Sequence, residues 1–392
     1  MVNLQELKKK FKSSILSRTN AFACFSLILF STSIKAFEIP DIKLPDGFNI
    51  SVLTSETPGA RSMALGNNTL FVSTRREGKI YAVTNYLDEP KVTVIVDNLY
   101  MPNGIAFKNG DLYVAEIHRL LKFENIESNI ENAKYTIISD DFPTDQHHGW
   151  RYITFGPDEK LYIPIGSPCN YCDEPDYGVI TRVNKDGSNK KIVARGMRNT
   201  VGITFHPKTD ELWFTDNGRD MLGDDIPPGE LNRVSYNGQH FGFPFCHGKN
   251  IKDPILGNLG SCDESTGPVQ ELGAHVAPLG LKFYTGSQFP NEYKNQIFIP
   301  EHGSWNRSKK SGYRITVVKL DGNNAISYET FADGWMKDEV TLGRPVDIAI
   351  ADDGSMLVSD DHNGVIYRIT YNSCLLYTSD AADDLLCVDL GG

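Results

Sequence analysis

Short apolar runs recur along the chain in pairs, each pair split by a turn rich in Gly, Pro, Asn or Asp. The stretch HHGWRYITFGPDEKLYIPIG, residues 147–166, is the clearest case. Ile153-Thr154-Phe155 is followed by the turn Gly156-Pro157-Asp158 and then by Leu161-Tyr162-Ile163. Alternating apolar and β-branched residues suit strands, and the punctuating residues suit turns. The same phrase recurs as Met63-Ala64-Leu65 with Leu70-Phe71-Val72, and as Ile105-Ala106-Phe107 with Leu112-Tyr113-Val114. It returns as Ile203-Thr204-Phe205 with Leu212-Trp213-Phe214, as Leu281-Lys282-Phe283 with Ile297-Phe298-Ile299, and as Ile348-Ala349-Ile350 with Met356-Leu357-Val358. Third strands are predicted over 79–83, 120–123, 179–183, 231–234, 313–320 and 365–369, and fourth strands over 91–96, 135–139, 191–194 and 328–332.

Six such units without a long helical pattern predict an all-β chain, a six-bladed β-propeller with four-stranded antiparallel blades. Stacking buries strand faces that one blade alone would leave wet. The alternative is another multi-sheet β fold, such as a pair of sandwiches. The reference positions Leu65, Phe107, Phe155, Phe205, Phe283 and Ile350 are 42, 48, 50, 78 and 67 residues apart, so the fourth and fifth units carry insertions. The sixth unit stops after its third strand, near Tyr371. The isolated run FNISVLTS, residues 48–55, is predicted to fill the vacant outer place, closing the ring and hiding a sheet edge.

The ends fall outside this scheme. Residues 1–36 read as a signal peptide: a basic start (Lys8, Lys9, Lys10, Lys12), an apolar core from Ala21 to Phe30, and Ala36 at the cleavage position. The alternative is an uncleaved anchor; no other stretch is long enough to span a bilayer. Residues 37–372 form the propeller, and 373–392 break the repeat and read as a foreign or disordered tail. The whole chain carries a net charge of −11; residues 1–36 hold six Lys/Arg and one Glu, which leaves −16 on the rest. So acidic a body argues against a nucleic-acid partner.

Four cysteines remain in the body. In an exported chain an even set reads first as disulfides, here Cys169–Cys172 and Cys246–Cys262. One zinc held by all four, or a redox role for the Cys-x-x-Cys segment, are the alternatives; no thioredoxin-like context surrounds that segment.

In a propeller, the segment entering each inner strand and the loop leaving the second strand meet at one mouth of the central channel. Those segments hold Arg61, Asn103, His147-His148, Arg198-Asn199, His275 and Arg344 on entry. On exit they hold Arg75, Glu116, Asp216-Asn217-Gly218-Arg219-Asp220, Glu301-His302 and Asp360-Asp361-His362. The opposite turns are ordinary hairpin chemistry. Converging Arg61, Arg198 and Arg344 suggest a small anionic ligand, because the guanidinium fork suits carboxylates. His148 is the candidate base, with His147 as competitor. The oxygen-rich run 216–225 has the ligand chemistry of calcium without EF-hand spacing; its alternative is a solvated acidic loop.

The segments HHGWRYITFGPDEKLYI, ARGMRNTVGITFHPKTDELWFTDNGRD, GELNRV and HFGFPFCHG together resemble the soluble glucose/sorbosone dehydrogenases, and more closely their sorbosone dehydrogenase-like branch. Residues 40–371 carry the likeness. It implies an exported, periplasmic propeller that binds pyrroloquinoline quinone (PQQ) and calcium and oxidises an aldose or related carbinol or aldehyde. By that resemblance His148 is the base, and Arg198 and Asn199 contact the quinone. Gly218 and Arg219 offer main-chain carbonyls to calcium, and Arg344 lies near the cofactor carboxylates. Val346 stands where a second arginine is expected. Arg307 is the candidate for the missing cofactor-binding lysine, and Arg61 lies near the first unit's contact. Hydride would pass to the quinone, with Arg198 stabilising developing charge, and a soluble electron acceptor would reoxidise it. After signal cleavage no stable membrane association is expected. Two rivals remain: a calcium-dependent propeller lactonase or esterase drawing on Glu116, Asn103 and Asp216, and a non-catalytic propeller binding peptide or glycan.

Overall fold

A computed structural model describes residues 37–372. The predicted signal peptide and the tail lie outside the described residues, Phe37 onward being the first of the propeller segment. Six blades are present, five of them four-stranded antiparallel sheets and the third extended by a fifth, parallel edge strand; blades 1–5 wind outward in chain order. Blade 1 comprises Met63–Leu65, Thr69–Ser73, Ile80–Thr84 and Lys91–Val96. Blade 2 comprises Gly104–Lys108, Asp111–Ala115, Leu120–Phe123 and Tyr135–Ser139, and blade 3 Thr154–Phe155, Leu161–Ile165, Val179–Val183 and Lys191–Arg195. Blade 4 comprises Gly202–Phe205, Leu212–Asp216, Pro228–Val234 and Gln270–Ala274. Blade 5 is Lys282–Phe283, Ile297–Glu301, Arg314–Asp321 and Asn324–Asp333, and blade 6 is Pro345–Ile350, Met356–Asp360 and Val365–Tyr371.

Phe48–Thr54 pairs antiparallel with Val365–Tyr371 and completes blade 6, as the isolated N-terminal run predicts. Its Phe48 ring packs edge-on against Phe289, Phe331 and Tyr371 at centroid distances of 4.7, 5.1 and 4.9 Å. Two details add to the predicted pattern. Blade 4 takes its fourth strand from Gln270–Ala274, beyond the insertion. That insertion also adds Gln239–His240 in parallel to the outer edge of blade 3. Both predicted disulfides are present, Cys169–Cys172 and Cys246–Cys262, so the cysteines hold no shared zinc.

The second strands are buried on both faces because blades stack face to face. In Thr69–Ser73, Leu70 and Val72 pack with Ala349 and Leu357 of blade 6, while Phe71 packs with Ile105 and Leu112 of blade 2. Near the channel, where apolar packing gives way to main chain, polar bonds link neighbouring blades. Ser73 Oγ donates to Asn103 O at 2.6 Å, and Asn103 Nδ2 to Arg151 O at 2.9 Å. Ser167 N donates to Arg198 O at 2.8 Å, Thr215 Oγ1 to Leu279 O at 2.5 Å, Gly280 N to Val346 O at 2.9 Å, and Ser359 Oγ to Arg61 O at 2.6 Å. These six contacts satisfy main-chain groups that the ladders leave open and hold the entering segments at one mouth.

Candidate active site

The mouth opens into a cavity of about 440 Å³. Its wall includes Arg61, Arg75, His148, Arg198, Asn199, Gly218 and Arg344, drawn from the entry and exit segments of four blades. The hairpin turns at the opposite end contribute nothing to it. Arg61, Arg75, Arg76, Arg198 and Arg344 face a single wall carboxylate, Asp220. The protein as a whole is acidic, so this concentration of guanidinium is local.

His148 is fixed from three sides. Its backbone is left-handed, with φ 52°, which a non-glycine residue adopts only where its surroundings hold it. A Cβ on Gly166 would lie 2.6 Å from the His148 Cβ, so glycine there lets the two segments touch. His148 Nδ1 lies 2.9 Å from Ser167 O. That carbonyl can only accept, so Nδ1 carries the proton and the Nε2 lone pair is left for the cavity. Burial, then the positive charge of Arg198 and neighbouring His147, push the imidazole down to about 2. The ring therefore stays neutral at neutral pH, and its basicity is held low. His147 lies against it, ring centroids 3.9 Å apart, and is exposed.

Arg198 lines the cavity, but all five of its N–H groups are spent on the protein. Nε donates to Asn170 O at 3.1 Å, and Nη1 to Asn217 O at 3.3 Å and Gly218 O at 2.8 Å. Nη2 donates to Asn170 Oδ1 at 2.9 Å and to Asp220 Oδ2 at 2.5 Å. Its main-chain N–H and that of Asn199 donate to Asp216, both at 2.9 Å. Arg198 thus fixes the 217–220 turn and adds a positive field. Asn170 sits inside the Cys169–Cys172 loop and also accepts from Asp220 N at 2.9 Å. Sequence reasoning missed Asn170; its only signal was its place between two closely spaced cysteines.

Arg61 donates to Asn103 Oδ1 and Asp361 Oδ2, each at 2.9 Å. Asp361 also accepts from His302 Nε2 at 2.8 Å. Burial works to raise the Asp361 carboxyl, but His302 and Arg61 outweigh it and hold it well below the carboxylate range. Burial pushes His302 down to about 4. Arg344 donates only to main-chain oxygens, His302 O at 3.0 Å and Gly303 O at 2.8 Å. Arg75 lies 4.7 Å above the Trp150 ring with no carboxylate partner among the described residues; burial lowers it to about 10, so it remains charged at neutral pH.

Arg219 and Arg307 are not in the wall. The Arg219 side chain turns away, binds Asp253, and lies 3.9 Å over the Tyr171 ring. Arg307 braces the neighbouring loop through Asp224 O at 3.1 Å and Asp225 at 3.1 Å. The lactonase triad does not meet at the cavity either. Glu116 binds Arg119 and Tyr100 N, Asn103 bridges Arg61 and Arg151, and Asp216 serves the main chain below the wall.

The family model described as TrAA12-like matches residues 42–372. The chain belongs to the TrAA12-like family. An uncharacterized protein of Borreliella burgdorferi is 38% identical to this TrAA12-like chain over 365 residues, 88% of this chain and 95% of that one. A calcium structure of the Trichoderma reesei Carbohydrate-Active Enzymes Family AA12 protein superposes with TM-score 0.71 at 18% identity, covering 85% of this chain and 98% of the other. The holo form of the pyranose dehydrogenase PQQ domain from Coprinopsis cinerea superposes with TM-score 0.73 at 15% identity, over 85% and 98%. At those identities the likeness shows a shared fold. Among the described residues no helix is long and apolar enough to cross a membrane.

Proposed function

We propose that this TrAA12-like chain is an oxidoreductase that passes hydride from a sugar carbinol, or a related aldehyde, to PQQ held in the cavity. One observation carries the reading: five guanidiniums and a neutral histidine with a free Nε2 share one cavity that offers a single carboxylate. PQQ is a flat tricarboxylate, and the cluster of guanidiniums matches its charge. A volume of about 440 Å³ suits a small-molecule site. The name of the Coprinopsis neighbour, a pyranose dehydrogenase PQQ domain, supports the same class.

Arg344, Arg75 and Arg76 have no carboxylate partner among the described residues and would hold the cofactor carboxylates, with Arg61 and Asn199 beside them. When bound, the quinone supplies the two-electron acceptor that no side chain can provide. His148 Nε2 would accept the proton of the substrate hydroxyl, a role that requires bound anionic charge beside it to offset the burial and the Arg198 charge that hold it low. Ser167 O fixes the tautomer throughout. Arg198, its donors spent, positions the Gly218–Asp220 turn and stabilises negative charge by field rather than by contact.

Calcium suits the oxygen donors of that turn. Gly218 and Asp220 are in the wall, and the Gly218 main-chain carbonyl would be a ligand; Arg219, expected from the resemblance to offer a second carbonyl, does not line the cavity. The Gly218 oxygen already accepts from Arg198, but a carbonyl has a second lone pair. Sorbosone-type substrates, a soluble electron acceptor and a periplasmic location complete the reading; two disulfides favour an oxidising compartment. The test is to add PQQ and calcium to purified apoprotein and follow reduction of an artificial dye with a panel of aldoses and sorbosone. Turnover is expected. No turnover, with no quinone absorbance retained on the protein, overturns the proposal.

A further inference from the structure

The chain has four tryptophans. Trp213 and Trp335 are fully buried, and Trp150 lies half-buried beneath the Arg75 guanidinium. Trp305 is 70% exposed, yet it lines the cavity. Among the described residues no ring or cation stacks on its indole.

The loop that presents it is pinned on both sides. Ser304 N donates to Ser311 O at 2.9 Å, Ser311 N to Ser304 Oγ at 2.9 Å, and Tyr313 Oη to Ser304 O at 2.7 Å. Asn306 Nδ2 donates to Asp220 Oδ1 at 2.9 Å, and Ser308 N to Asp224 Oδ1 at 2.9 Å. The indole is therefore held out by fixed neighbours rather than left out by a loose loop. Single exposed apolar residues are ordinary, but Trp305 lines the cavity, and aromatic rings at the rim of a pocket supply ligand contact surface.

We propose that Trp305 is the stacking platform of an outer saccharide subsite, so that the substrate is a disaccharide or longer oligosaccharide. The inference rests on the reading of the cavity as a sugar-oxidising site. A pyranose ring has an apolar C–H face and a hydroxyl edge. Trp305 offers the matching flat surface, and Asn306 and Arg76 line the same cavity with hydrogen-bonding groups. His148 is only 7% exposed and marks the depth at which the reacting ring sits. Trp305 marks the lip, where the next ring of a longer chain would emerge.

The test is equilibrium titration of apoprotein with a monosaccharide and with its disaccharide and trisaccharide, followed by tryptophan fluorescence and by calorimetry. The longer sugars are expected to bind more tightly. Trp305→Ala is expected to cut the ratio of disaccharide to monosaccharide affinity about tenfold, and Trp305→Tyr to keep most of it. The exposed position leaves folding intact, which circular dichroism checks. No preference for longer sugars in the native protein, or an unchanged ratio in Trp305→Ala, overturns the proposal. The readout needs no cofactor, so it separates from the redox reading: saccharide binding with a Trp305-dependent ratio but no PQQ uptake would sink the redox chemistry and keep the subsite.

Discussion

Substituting Gly166 by alanine perturbs the proposed base without touching any charged group. The backbone there is in an ordinary region, so only space forbids a side chain. The new Cβ would lie 2.6 Å from His148 Cβ, 2.8 Å from His148 O and 3.3 Å from Arg198 O. Carbon atoms rest at ~3.5–4.0 Å, so the His148 segment must retreat by about 1 Å. That movement loosens the 2.9 Å bond from Nδ1 to Ser167 O and with it the aim of Nε2. Overpacking of this kind costs about 1–3 kcal/mol of stability. A displacement of about 1 Å at a reacting group costs on the order of 100-fold in rate. The assay is dye reduction by PQQ-loaded protein, with quinone affinity measured separately by absorbance. Gly166→Ala should lose about 100-fold in kcat/KM and keep PQQ affinity within a few-fold. Gly267→Ala, whose Cβ would make only ordinary contacts of 3.6 Å or more, is the control and should behave as the native protein. Native kcat/KM in Gly166→Ala would refute the placement of the base, and equal losses of binding and turnover would point to general disruption.

Three further outcomes follow from the same geometry. Because His148 is pushed down to about 2, kcat/KM should show no acid limb near pH 6.5; the unfolded chain takes up that proton below about 6.5 and the folded chain does not. The native protein should accordingly lose about 2–3 kcal/mol more stability than His148→Gln between pH 7 and roughly 4.5, read from urea unfolding; equal losses would contradict the buried neutral ring. Ser73→Ala strips the Asn103 carbonyl and Ser62 N–H of a buried partner and should cost about 1–3 kcal/mol in chemical denaturation, with PQQ affinity little changed. Chelation with EGTA should weaken PQQ binding at least about tenfold, with recovery on adding calcium; an unchanged affinity would remove the metal from the Gly218–Asp220 turn.

The blades were legible because their second strands are buried on both faces and so read as unbroken apolar runs, as in Leu70-Phe71-Val72. The outer strand Gln270–Ala274 was not, since its sequence QELGA has no alternation and it is held mainly by its ladder to Pro228–Leu231. The mouth could be read from chain order alone: His148, Arg198, Asn199, Gly218 and Arg344 all reach the cavity. How Arg198 spends its donors could not, because its partner Asn170 lies 28 residues upstream in a loop with no repeat template. Arg307 stands in for the family's cofactor-binding lysine by resemblance alone, and Asp224 and Asp225 hold it outside the wall.

The most direct measurement is titration of purified apoprotein with PQQ in the presence of calcium, followed by absorbance of the bound quinone, for the native chain and for Arg344→Gln. Saturable one-to-one binding, weakened about tenfold or more in Arg344→Gln and by added salt, is the predicted result. A native protein that retains no quinone, or an Arg344→Gln variant that binds it equally well, would contradict the cavity's role.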